Sequence, residues 1–109
     1  MTINEHSKKM KLELRRGVLV LAVLAELREE HYGYSLRKNL VSKGLEIDEG
    51  TLYPLVRRLE KQGLLVSEWR EESNRKKRFY QLSEVGKSTL EQVSEDWLEV
   101  ETALNIILK

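Results

Sequence analysis

From Val18 to Ala25 eight apolar residues run without a break. The surrounding stretch from Met10 to about Glu29 has no proline, and its single glycine, Gly17, sits among strong helix formers, so a first helix is predicted there. Its second half is apolar nearly all round, which calls for burial on more than one side. One side can face a domain core and the other needs a partner. Residues 1–9 show no periodicity and are read as a flexible N-terminal arm. After His31-Tyr32-Gly33, a short helix over Tyr34–Gly44 is predicted, with Gly44 as its C-terminal cap. A third helix follows, for which Asp48 can be the cap and Ile47 and Leu52 the hydrophobic staple. Leu52, Leu55, Val56 and Leu59 make one buried stripe, and the opposite face presents Gly50, Pro54, Arg57 and Lys61, flanked by Tyr53 and Arg58. Gly63 closes it.

Beyond Gly63 the period changes to two. Leu64–Glu72 reads as a strand with Leu65 and Trp69 on one parity, Trp69 being expected in the core at the strand base. Lys77–Leu82 reads as a second strand, and the short polar link between them makes a hairpin with a basic tip. Ser83 can then cap a last helix running to about Leu108, in which Leu90, Val93, Trp97, Val100, Leu104 and Ile107 keep the alternating three-and-four spacing of a coiled-coil seam. The predicted fold is mainly α with a small β-hairpin: a winged helix-turn-helix over residues 10–82, then a long C-terminal dimerisation helix over 83–109.

At 109 residues the chain allows one compact domain with a modest core. It has no cysteine, which excludes disulfides, thiolate catalysis and zinc held by Cys. The eight-residue apolar run is far short of the about 20 residues that cross a bilayer, so no membrane partner is expected and the chain reads as soluble and cytoplasmic. Formal net charge is only +1, but residues 1–83 carry 17 basic and 12 acidic side chains and residues 84–109 carry two basic and six acidic. A basic body attracts polyanions, whereas an acidic tail is disfavoured near phosphate, so the two parts have separate tasks.

The third helix and the hairpin are the parts that can meet double-stranded DNA. In a winged helix-turn-helix the third helix lies in the major groove. Arg57 can pair with guanine O6 and N7, Thr51 and Tyr53 can meet phosphate or a thymine methyl, and Gly50 allows close approach; Pro54 and Lys61 share that face. Asn74, Arg75, Lys76, Lys77 and Arg78 form a wing with no acid from Ser73 through Gln81, suited to backbone or minor-groove contact. Tyr34 and Ser35, opening the second helix, are grouped with these, although Tyr32 and Tyr34 also read as packing and positioning residues. Taken singly, each basic patch could be an ordinary solvated face. Their arrangement carries the case.

Tyr32-Gly33-Tyr34, the run Gly50-Thr51-Leu52-Tyr53-Pro54-Leu55 with Arg58-Leu59-Glu60 and Gly63-Leu64, then Trp69, then Arg78-Phe79-Tyr80-Gln81-Leu82-Ser83-Glu84-Val85-Gly86 closely resemble the PadR family of transcriptional regulators. The resemblance runs from about Leu12 to Leu108. It implies a winged-helix repressor that dimerises through its C-terminal helix, binds an inverted-repeat operator, and belongs to the short branch with one helix after the wing. The family's recognition-helix positions match at Thr51, Tyr53, Pro54 and Arg57, and its basic wing at Arg75 to Arg78. Phe79 stands where the family often has Tyr, and the wing tip has no glycine.

A homodimer is expected because the seam of the last helix, left open, would be a large apolar patch; the alternative is packing on the chain's own first helix. A twofold axis would bring Trp97 toward its own copy, and two indoles could bracket a flat apolar molecule. The resemblance implies phenolic acids or other small aromatic compounds as effectors. No cofactor and no metal site is expected. An enzyme is disfavoured, since His6 and His31 are the only histidines, neither has an evident nucleophile or carboxylate partner, and no glycine-rich phosphate loop is present. The competing class is a winged-helix protein-interaction module without sequence-specific DNA binding.

Overall fold

A computed structural model describes residues 2–109. The order is α1 (Ile3–Glu26), β1 (His31–Tyr32), α2 (Gly33–Ser42), α3 (Glu49–Lys61), β2 (Leu65–Glu72), β3 (Arg75–Leu82) and α4 (Glu84–Ile107). The three strands form one antiparallel sheet in the order β1-β3-β2. The winged helix-turn-helix expected from the sequence is therefore present, with one strand more than the hairpin supplied. β1 is only two residues long, too short to show any period.

Among the described residues twelve apolar side chains make the core, drawn from every helix and from the inner ends of β2 and β3. Val23, Leu24 and Leu27 come from α1 and the turn after it, Leu36 and Leu40 from α2, and Leu52, Val56 and Leu59 from α3. Full burial of such a leucine contributes about 1.5–3 kcal/mol, so this cluster dominates the stability of a domain of this size. The staple partner Ile47 is buried, and the backbone carbonyl of the same residue accepts from Arg37 Nε at 2.8 Å.

The expected N-terminal arm over residues 1–9 is instead helical from Ile3, with Met1 outside the described residues. The cause is local. Thr2 Oγ1 accepts the Glu5 backbone N–H at 3.2 Å, Glu5 lies at the positive end of the helix dipole, and Lys, Met, Leu and Glu are good helix formers. Residues 2–17 are all exposed, which explains why no burial period marks them. The first helix also ends earlier than expected, at Glu26.

Two junctions set the sheet on the helices. Leu82 N–H donates to Leu27 O at 2.9 Å, and Ser83 N–H donates to Leu64 O at 3.0 Å. Ser83 then caps α4, its Oγ accepting Gly86 N–H at 2.9 Å and donating to Gly63 O at 2.6 Å. A Cβ on Gly86 would stand 2.0 Å from Leu64 O, so this helix can approach the α3–β2 turn only with glycine there.

Leu90, expected in a dimer seam, packs into the chain's own core at 8% exposure. It lies in the second turn of α4, where the helix still runs beside α1 and the end of β3. The rest of the seam leaves the core: Val93, Trp97, Val100 and Leu104 are 38–42% exposed and Ile107 is 71% exposed.

Candidate nucleic-acid interface

Asp48 opens α3 as expected, its Oδ1 accepting Thr51 N–H at 2.8 Å. Hydrogen bonding from Thr51 holds the Asp48 carboxyl below its usual range. Leu52, Val56 and Leu59 turn inward, leaving Gly50, Thr51, Pro54, Arg57 and Lys61 exposed. Pro54 stands inside the helix without an N–H, so the Gly50 carbonyl has no helical donor and remains on the exposed face.

The exposed face of α3 divides into two sides. Thr51 and Pro54 border a hollow against α1 together with Arg16, Leu19, Val20, Leu55 and Arg58. Tyr53 and Arg57 border a groove of about 320 Å3 between α3 and the wing, whose other walls are Tyr32, Gly33, Val56, Trp69, Lys76, Lys77, Arg78 and Tyr80. No acidic side chain lines it. The Tyr53 ring lies against Gly33, at the distance where a Cβ would meet the ring at 3.0 Å. Burial of this ring, then the charge of Glu49, raises the Tyr53 phenol above its ordinary value of 10.0, so it stays a neutral hydrogen-bonding hydroxyl at neutral pH.

The wing turns through Ser73 and Asn74, both at positive φ (52° and 63°). Two consecutive left-handed residues give the tight hairpin turn whose twist matches paired strands, and asparagine tolerates that region better than most. The tip therefore closes without glycine, and the register runs unbroken from Glu72↔Arg75 to Leu65↔Leu82.

The four wing cations are not equivalent. Arg75 and Lys76 are exposed. Lys77 stands 4.4 Å over the Tyr32 ring and 3.7 Å from Glu72 Oε1. Arg78, still 38% exposed, is tied to α3 and β2: its Nη2 donates to Glu60 Oε1 at 2.9 Å and its Nε to Ser67 Oγ at 2.9 Å. On the outer face of the sheet Arg70 pairs with Glu30 and Glu68, which raises its pKa further, and lies 4.7 Å over the Phe79 ring.

Trp69, expected in the core, is 63% exposed. It has the inward parity of Leu65, but at its level the space towards α3 is an open groove shared with Tyr53, Val56 and Arg57, and the Arg78 guanidinium lies 5.6 Å from the ring centre. The Ser35 hydroxyl donates to Tyr32 O at 3.0 Å and lies 3.0 Å from His31 Nδ1, at the β1–α2 junction. Tyr34 stays exposed, stacked on Tyr32 with centroids 6.3 Å apart. Sequence reasoning passed over Glu60 and Ser67 as site residues. The signal was the two-residue turn at Ser73-Asn74, which places Arg78 opposite Trp69 and beside Ser67.

The family model for "Transcriptional regulator PadR-like family" matches residues 20–92. The chain belongs to the PadR-like family of transcriptional regulators. A PadR family transcriptional regulator from Eggerthella lenta DSM 2243 has a solved structure that superposes with a TM-score of 0.87 at 42% identity, covering 97% of this chain and 95% of that one. A PadR-like transcriptional regulator from Bacillus cereus strain ATCC 14579 superposes at 0.81 with 31% identity over 89% of this chain and 97% of its own. Transcriptional regulator Rv3488 of Mycobacterium tuberculosis is 37% identical over 79 residues, 72% of this chain and 74% of its length. This PadR-like regulator is accordingly a transcription factor and not an enzyme, and none of its helices is long and apolar enough among the described residues to cross a membrane.

Proposed function

We propose that this PadR-like chain is a cytoplasmic repressor that binds an inverted-repeat operator in double-stranded DNA as a homodimer. The observation that carries the DNA reading is the α3–wing groove, where Arg57 of the recognition helix and Lys76 of the wing face one opening that no carboxylate lines. In this reading α3 enters the major groove, with Arg57 and Tyr53 reading bases and Gly50, Thr51, Pro54 and Lys61 lying along the same contact. Asn74, Arg75 and Lys76 hold the flanking backbone or minor groove, Lys77 adds to that field, and Tyr34 reaches the backbone from the start of α2.

The homodimer rests on α4. Val93, Trp97, Val100, Leu104 and Ile107 form an apolar stripe that the chain's own fold leaves open, and a second copy covers it without exposing new apolar surface. The basic first half of α1, which also stands free, supplies the second contact. Trp97, midway along the stripe, meets its own copy across the twofold axis and brackets a small planar aromatic effector, whose binding changes the spacing of the two recognition helices.

The test is fluorescence anisotropy on a labelled fragment of the chain's own promoter against a shuffled fragment of the same length. Preference for the promoter fragment supports the reading, and equal binding to both rejects sequence-specific recognition. Titration of planar aromatics, followed by Trp97 emission in a Trp69→Phe background, tests the effector. Quenching that leaves operator affinity unchanged rejects it.

A further inference from the structure

Arg78 sits in the basic wing and borders the α3–wing groove, yet its guanidinium is tied into a closed ring of three side chains. Its Nη2 donates to Glu60 Oε1 at 2.9 Å, its Nε donates to Ser67 Oγ at 2.9 Å, and the Ser67 hydroxyl donates in turn to Glu60 Oε2. Each member belongs to a different element: Glu60 to the last turn of α3, Ser67 to β2 and Arg78 to β3. The Trp69 and Tyr80 ring centres each lie 5.6 Å from the guanidinium, so it is held among aromatic surfaces as well as by directed hydrogen bonds.

On one side the wing is held by β1, through the Tyr32↔Phe79 pairing, Lys77 over the Tyr32 ring and the nearby Arg70–Glu30 pair; on the α3 side the hydrogen-bonded tie is this ring. Beyond Leu65 no β2 side chain is buried, and in β3 only Leu82, at its inner end, is. Past the β1 pairing at Phe79 only β2 and β3 remain, and a two-stranded ribbon is marginal by itself, so a tie to the neighbouring helix limits its movement there. The ring provides that tie. We propose that Glu60, Ser67 and Arg78 form a strut that fixes the wing against the recognition helix, and that Arg78 is a positioning residue that acts on DNA through the strut, not as a phosphate contact.

This inference rests on the reading that α3 and the wing bind DNA together. Its chemistry makes a prediction of opposite sign to simple charge counting. Glu60 is an acid at the edge of the DNA-facing side, so removing its charge should tighten binding if only the summed field mattered. If the strut matters, removal frees the wing, and the ordering of the wing must then be supplied on binding. Arginine is needed as well, because lysine cannot make the two directed bonds of the fork.

The experiment compares the parent, Glu60→Gln, Arg78→Gln, Arg78→Lys, the exchange Glu60→Arg with Arg78→Glu, and Lys76→Gln, each checked for an unchanged thermal transition. Two readouts are taken: affinity for the promoter fragment across a salt series, and the anisotropy of Trp69 emission without DNA in a Trp97→Phe background. The expected results for Glu60→Gln are a roughly tenfold loss of affinity at fixed salt, the size expected for a charge-assisted hydrogen bond, and a fall in Trp69 anisotropy. Arg78→Lys should weaken binding although it keeps the charge, the exchanged pair should recover most of the affinity, and Arg78→Gln should leave the salt slope nearly unchanged. Lys76→Gln should lower that slope by about 0.9, as loss of a true phosphate contact does.

Tighter or equal binding by Glu60→Gln, or a slope loss of about 0.9 for Arg78→Gln, overturns the strut. Unchanged Trp69 anisotropy in Glu60→Gln overturns it independently of DNA. If the parent fails to bind while Trp69 still loses anisotropy in that variant, the strut stands as a wing anchor and the DNA reading is what fails.

Discussion

The α3–wing face and the open stripe of α4 are both exposed, but for opposite physical reasons. The first presents Arg57, Lys61, Arg75 and Lys76, charges that water solvates well and that need no cover. The second presents Val93, Trp97, Val100, Leu104 and Ile107, which water solvates poorly. A charged face can wait for its polyanion, while an apolar stripe of this length demands a second surface. In the proposed reading the first serves recognition and the second assembly, and the sign of charge runs parallel: a basic body and an acidic last helix.

The largest effect should come from the apolar side. Trp97→Asp with Leu104→Asp places charge in the stripe and should convert the proposed dimer to a monomer in sedimentation. Operator affinity should then fall by about 100-fold or more, because two half-sites are no longer bound through one linked molecule. A monomeric variant that keeps full operator affinity would separate the two faces altogether.

The junction between the two regions comes next. Gly86→Ala inserts a methyl 2.0 Å from Leu64 O, backbone that cannot step aside cheaply. It should cost about 2–4 kcal/mol in urea unfolding, well above an ordinary surface change. Gly17→Ala, where a Cβ meets nothing within 4 Å, is the matched control and should be neutral or slightly stabilising.

On the basic side, Arg57→Ala should cost about 1–3 kcal/mol on the operator and little on random DNA, measured by anisotropy at one salt concentration. Equal losses on both sequences would make Arg57 a backbone contact only.

The smallest effect is the α3 cap. The folded-state pKa of Asp48 lies below its ordinary value of 3.8, so its contribution is fully present above 3.8 and fades as pH falls through the lower, folded value. Far-ultraviolet circular dichroism on acid titration should show that loss in the parent. In Asp48→Asn the amide oxygen still caps the helix, so this component of the acid dependence should disappear.

Much of this was readable from residue order alone. The caps at Asp48 and Ser83, the inward stripe of α3, the hairpin and the helix of α4 all follow from short-range rules: a side-chain oxygen within three residues, a helical or alternating period, a break at glycine. The helix over Ile3 and the residues after it escapes a reading by pattern because a helical turn that buries nothing carries no period, and Thr2 with Glu5 is a weak mark by itself. β1 escaped because two residues cannot alternate.

Trp69 departs from its expected place for a different reason, and Leu90 and Arg78 gain partners within the chain that spacing does not show. Parity puts Trp69 on the inner side of β2, but only the packed helices decide where inside ends along that strand. Heptad spacing puts Leu90 in line with Trp97, yet the position of α1 and β3 makes the first a core residue and leaves the second open. A count of wing cations includes Arg78, while Glu60, distant by 18 positions along the chain, takes up its charge. Local pattern determines which elements form and which side of each is apolar, because those interactions act over a few residues. Which apolar side is covered, and which charge is free, depends on groups brought together from far along the chain, and that only the packed molecule decides.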